Sequence, residues 1–168
     1  MRIGVCGQVR TVWAPRGVKV RQRLQFQRVW RYLALAVDGV RGTLAWCWIA
    51  SMKGVSIAEA VQHWQTQGIE AVVWDRASGH RAPEVRQVGL TLIEQPAAAP
   101  ELNPAERVFK EVRRVVEGAS YASIEAKMAA VERELHTLAA DPERVKRLAG
   151  WQWIRDACAQ LPGKVIVP

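Results

Sequence analysis

Two apolar, aromatic-rich runs, Val29–Val37 and Thr43–Ala50, flank Asp38-Gly39. Such runs around an Asp-Gly predict a β-hairpin. In the second run Trp46 and Trp48 alternate with Ala45, Cys47 and Ile49, which predicts a strand covered on both faces. The period then changes. Ser56-Ile57-Ala58-Glu59 reads as a capping box, Ile57, Ala60, Val61 and Trp64 recur at helical spacing, and Gly68 marks the stop. Two short apolar runs, Ala71–Trp74 ending at Asp75 and Leu90–Ile93 ending before Pro96, predict further strands. Asn103-Pro104 opens a helix with the apolar face Val108, Phe109, Val112, Val115 and Val116. Ile124, Met128, Val131, Leu135 and Leu138 predict another, and Asp141-Pro142 starts a last helical segment through Val145 and Leu148 towards Trp151, Trp153 and Ile154. A hairpin followed by crossovers implies a mixed sheet with helices on its faces.

At 168 residues the chain fits one domain with its own core, and residues 120–168 read as a helical tail of that domain. No apolar run approaches the length of a membrane span, and no secretory leader follows Arg2. Cys6, Cys47 and Cys158 are far apart and form no CxxC, which argues against disulfides or zinc and for a reducing, cytoplasmic home.

Charge changes the picture more. The net charge is +8, and residues 1–37 hold Arg2, Arg10, Arg16, Lys19, Arg21, Arg23, Arg28 and Arg31 without a single acid. With neither an amphipathic basic helix nor a lipidation motif, a phosphate backbone is the better partner for this stretch than a membrane.

Candidate chemistry follows from position. Asp75 ends an apolar strand and opens the polar loop Asp75-Arg76-Ala77-Ser78-Gly79-His80. The carboxyl end of a strand in an open α/β sheet is where ligands bind, although the same Asp would also cap the next helix. Glu106 falls in the first turn of the helix opened by Asn103-Pro104, where it has an ordinary capping role. Two carboxylates on separate elements are also what Mg²⁺ and two-metal phosphodiester chemistry require. His63 and His136 read as surface residues of helices.

The blocks VVWDRASGHRA and LIEQPAAAPELNPAERVFKEVRR resemble the second and third acidic motifs of DDE transposases from bacterial insertion sequences of the mariner-related superfamily. Thirty residues lie between Asp75 and Glu106, close to the spacing of that superfamily, and GQVRTVWAPRGVKV resembles the segment after its first catalytic strand. The resemblance covers essentially residues 1–117. It implies a ribonuclease H-like fold, a mixed five-stranded sheet with flanking helices. It also implies cutting and joining of DNA at transposon ends with two Mg²⁺ (or Mn²⁺) ions. Asp75 and Glu106 would be metal-binding catalytic acids. Double-stranded DNA, both transposon ends and target, would lie against Arg10, Arg16, Lys19, Arg21, Arg23, His80, Lys110, Arg113 and Arg114, and the protein would act as a possible homodimer.

Three departures stand out. The first catalytic Asp of the superfamily falls ahead of Met1, so the first strand is expected to be partly missing, together with the upstream helix-turn-helix region. A relic, a late start and one half of a frameshifted product remain open. Asp38, the first acid of the chain, is expected in the hairpin turn, away from the site. Arg76 stands where Asn is usual, and Ala98-Ala99 where Tyr-Ser is common. The expected activity is therefore a nuclease and strand-transfer domain incomplete by itself. The alternative is an inactive remnant that binds DNA without sequence preference. A ribonuclease H-type enzyme acting on RNA fits less well. With a shortened first strand, Val29–Val37 and Ala71–Trp74 would lose a central neighbour.

Overall fold

A computed structural model describes residues 1–5, 12–21, 25, 27–96, 102–160 and 165–167. The predicted hairpin forms as β2 (Trp30–Asp38) and β3 (Thr43–Ile49), paired antiparallel from Tyr32↔Ile49 to Asp38↔Thr43. Its turn is held by Asp38, which is 2 % exposed and accepts from the amides of Val40 and Arg41 at 2.9 and 2.8 Å. Asp38 thus serves the turn, as its position in the sequence suggests. Ahead of the hairpin, β1 (Arg2–Gly4) pairs antiparallel with the start of β2.

The alternation in the hairpin decides the layers. Leu33, Leu35 and Val37 of β2, with Leu44, Trp46 and Trp48 opposite them on β3, face α3 (Ala105–Val116), α4 (Ile124–Ala139) and α5 (Pro142–Ala149). Ala34, Ala36, Ala45 and Cys47 face α1 (Gly54–Thr66), and their small size lets Trp64 pack against the sheet. Both faces are covered, so the run reads as nearly continuously apolar.

After α1, β4 (Ala71–Trp74) leads through α2 (Pro83–Arg86) to β5 (Thr91–Glu94), which pairs parallel with it. The helical tail continues past α5 into α6 (Gln152–Ala159), then ends in a strand that the sequence pattern did not predict, β6 (Val165–Ile166). β6 pairs parallel with β4.

Among the described residues the strands form two three-stranded sheets, β1-β2-β3 and β5-β4-β6, rather than one five-stranded sheet. A single antiparallel bridge, Val37↔Val167, connects them. β1 pairs with β2 at Trp30–Tyr32, and Met1 bonds Leu33 beyond it, but β1 does not pair with β4.

Local capping differs in one place. α1 begins at Gly54, so Ser56 lies inside the first turn, where its hydroxyl meets that of Ser51 at 3.2 Å instead of capping. Asn103 behaves as predicted, its Oδ1 accepting from the Ala105 amide at 2.9 Å, and Ser123 and Asp141 cap α4 and α5.

Candidate active site

Asp75 directly follows β4, whose residues are locked into the sheet, and Glu106 lies in the first turn of α3. Both line one cavity of about 150 Å³, together with Met1, Leu33, Leu35, Trp64, Trp74, His80 and Asn103. Two acids with thirty residues between them in sequence therefore line the same cavity.

Each carboxylate is held. His80 stacks on the buried Trp74 ring, centroids 4.5 Å apart and planes 4° from parallel, and its Nδ1 lies 2.7 Å from Asp75 Oδ1. The same carboxylate oxygen accepts from the Ala77 amide at 2.9 Å, which fixes the loop after β4. Glu106 meets Arg113, two turns along α3, at 3.5 Å. Arg76 is engaged elsewhere: it and Arg81 flank Glu94 at 3.4 and 3.3 Å, pinning the loop to the end of β5. That ion pair gives a positive residue at position 76 a structural role.

The amino group of Met1 also lies on the cavity wall and donates to Leu33 O at 2.6 Å. Burial lowers its pKa to about 6, an effect that the charge of Glu106 opposes and that of Arg113 reinforces. The beginning of β1 thus lies on the wall of the cavity that Asp75 and Glu106 line, in keeping with the resemblance, which places the first catalytic Asp just ahead of Met1. The indole N–H of Trp64, also on this wall, is buried without an acceptor among the described residues.

As a metal site the set is partial. Carboxylate oxygens are the hard donors that Mg²⁺ and Mn²⁺ take. Among the described residues, however, no three His, Cys, Asp or Glu converge closely enough to hold an ion. Asp75 and Glu106 place two such oxygen donors on the lining of this cavity.

The basic candidates fall in two places. Arg16, Lys19 and Arg21 lie on an exposed arm, residues 12–21, which turns at Pro15–Val18 through a Val18 amide to Pro15 carbonyl bond of 3.1 Å. Gly17 sits there at φ 86°, a conformation suited to glycine. Trp13 on this arm is fully exposed, a feature the sequence reading passed over. The chain rejoins the body at Gln25, whose side-chain amide pairs with the backbone N–H and carbonyl of Tyr121. Lys110 and Arg114 are exposed on α3, and Arg113 is half-buried beside Glu106. His80 is a cavity residue, and Arg10 and Arg23 lie outside the described residues.

No family model matches the chain, and no curated protein matches it. Among solved structures, it is similar to the Mos1 transposase in a paired-end complex with the left transposon end, with a TM-score of 0.54 and 15% identity. The match covers 89% of this chain and 53% of that one, so the chain spans about half the length of that neighbour. At this identity the likeness is one of fold: a mixed α/β arrangement that the two proteins share.

Proposed function

We propose that this chain is a transposase-like DNA-processing domain of the DDE type, in which Asp75 and Glu106 are two carboxylates of a divalent-metal site. The observation that carries the reading is their meeting in one cavity, at the end of β4 and the start of α3, within a fold similar to that of a transposase. Divalent ions bound there would activate the attacking oxygen and stabilise the leaving one in phosphodiester cleavage and strand transfer.

The residues themselves divide the work. His80 and the Ala77 amide hold Asp75 through one carboxylate oxygen, and the other would take a ligand. Arg113 holds Glu106. A residue joined ahead of Met1 would continue β1 into the same cavity, and a carboxylate there would supply the third ligand. Double-stranded DNA is the partner: Arg16, Lys19 and Arg21 track phosphates, Lys110 and Arg114 extend the basic surface along α3, and Trp13 offers a flat face on which an unpaired base can stack.

The test is nicking of supercoiled DNA by the chain preceded by an Asp-bearing segment. Cleavage should require Mg²⁺ or Mn²⁺ and disappear in Asp75→Ala and Glu106→Gln. Equal nicking by the substituted proteins would place the activity elsewhere. No nicking by any form, with DNA binding retained, would favour the second reading, a non-catalytic DNA-binding domain, for which the exposed basic arm is the motivating observation.

A further inference from the structure

β1 and β6 lie in one lane. β1 runs antiparallel to β2, with Arg2 opposite Tyr32, and Met1 and Leu33 exchange both backbone hydrogen bonds. At the other end of β2, Val37 and Val167 exchange both of theirs, at 2.8 and 2.9 Å, again antiparallel. β6 is parallel to β4, with Ala71 opposite Val165 and Val72 opposite Ile166. The two segments therefore point the same way along the same edge of β2, with Val167 heading towards Met1. Only the span of β2 at Ala34–Ala36 separates their positions.

The separation is where the cavity lies. Met1, Leu33, Ala34 and Leu35 line it from one side and Trp74 and Asp75 from the other. On β2 the residues that bond towards this lane alternate, as Leu33 and Val37 show, so the amide and carbonyl of Leu35 face the gap. The indole N–H of Trp64, buried without an acceptor among the described residues, belongs to a residue of the same wall. An edge of this kind is a template for an added strand.

We propose that the lane between β2 and β4 is a strand-binding site, held here by the chain's own Val165–Val167, and that a strand continuing β1 ahead of Met1 displaces that segment. The register sets the length at which this happens. Opposite Ala34 and Leu35 there is room for an extension. The fourth residue ahead of Met1 falls opposite Val37, the position that Val167 holds. Short extensions and β6 coexist; longer ones exclude it. The inference rests on pairing alone and stands whether or not the domain processes DNA.

The test uses the full chain carrying none, two or six added residues of alternating Val and Thr ahead of Met1, with amide hydrogen exchange followed by NMR. The Val167 amide should stay protected with none and with two. With six it should exchange at least tenfold faster, while the Val37 amide stays protected because the new strand takes over its bond. Persistent protection of Val167 with six residues overturns the proposal, as does joint loss of protection at Val37 and Val167. Removing residues 165–168 supplies a second measurement. The six-residue extension should raise the melting temperature of that shortened chain, and an unchanged melt would equally overturn the idea.

Discussion

Glu132 offers a sharp test of how the helical layer is fixed to the hairpin. It sits on α4 and accepts from the indole N–H groups of Trp46 at 2.9 Å and Trp48 at 2.5 Å. The two tryptophans are two positions apart on β3, so both rings rise from the same face, and one carboxylate can reach both. His136, one turn on, lies edge-on to Trp46 with centroids 5.1 Å apart. A hydrogen bond to a charged group contributes about 1.5–3 kcal/mol. The Glu132 side chain is 31% exposed, which places each bond at the lower end of that range because water can replace part of it. Glu132→Ala should therefore destabilise the fold by about 3 kcal/mol. Glu132→Gln keeps one carbonyl oxygen for one indole and should cost about half as much. Urea unfolding followed by tryptophan fluorescence measures both, and an unchanged m-value assigns the effect to stability. A double-mutant cycle with Trp48→Phe isolates the bond itself. If Glu132→Ala stays within about 0.5 kcal/mol of the parent, or the cycle shows no coupling, the carboxylate does not hold the layers together.

Three further outcomes are expected. An added Cβ at Gly150 would meet the Gly39 carbonyl oxygen at 2.1 Å, whereas one at Gly68 meets nothing within 4 Å and strains only a φ of 77°. Gly150→Ala should thus cost more than about 2 kcal/mol and Gly68→Ala about 1 kcal/mol, and equal thermal shifts would refute the contrast. Burial raises the Cys47 thiol from 9.0 to about 11, so at pH 8 a variant retaining only this cysteine should react with a thiolate-seeking reagent about a hundredfold more slowly than a free thiol, against comparable rates if the site is open. Replacing Arg16, Lys19 and Arg21 with Ala should lower the slope of log affinity for duplex DNA against log salt by up to about 2.7, and an unchanged slope would remove the arm from the interface.

The hairpin, α1, the strand at Ala71–Trp74 and the capped helices α4 and α5 were legible because their periodicity and caps are local. The positions of Asp75 at a strand end and Glu106 in a first helical turn were legible for the same reason. Three things were not. α1 starts at Gly54, two residues ahead of Ser56, whose hydroxyl meets Ser51 rather than capping, so the capping pattern misplaced the start of the helix. β6 is a two-residue strand defined by its partners, β4 and Val37, rather than by any pattern of its own. The arrival of the β1 end beside Glu106 depends on long-range register, which periodicity does not encode; only the resemblance implied it, by placing a catalytic Asp just ahead of Met1.

The central claim is that Asp75 and Glu106 together bind a divalent cation. Because Trp74 and Trp64 line the same cavity, Tb³⁺ bound between the carboxylates should show tryptophan-sensitised luminescence. The signal should saturate, yield to competing Mn²⁺, and weaken at least tenfold in Asp75→Asn and in Glu106→Gln. An undiminished, Mn²⁺-competed signal in the double variant would place the ion elsewhere and contradict the account.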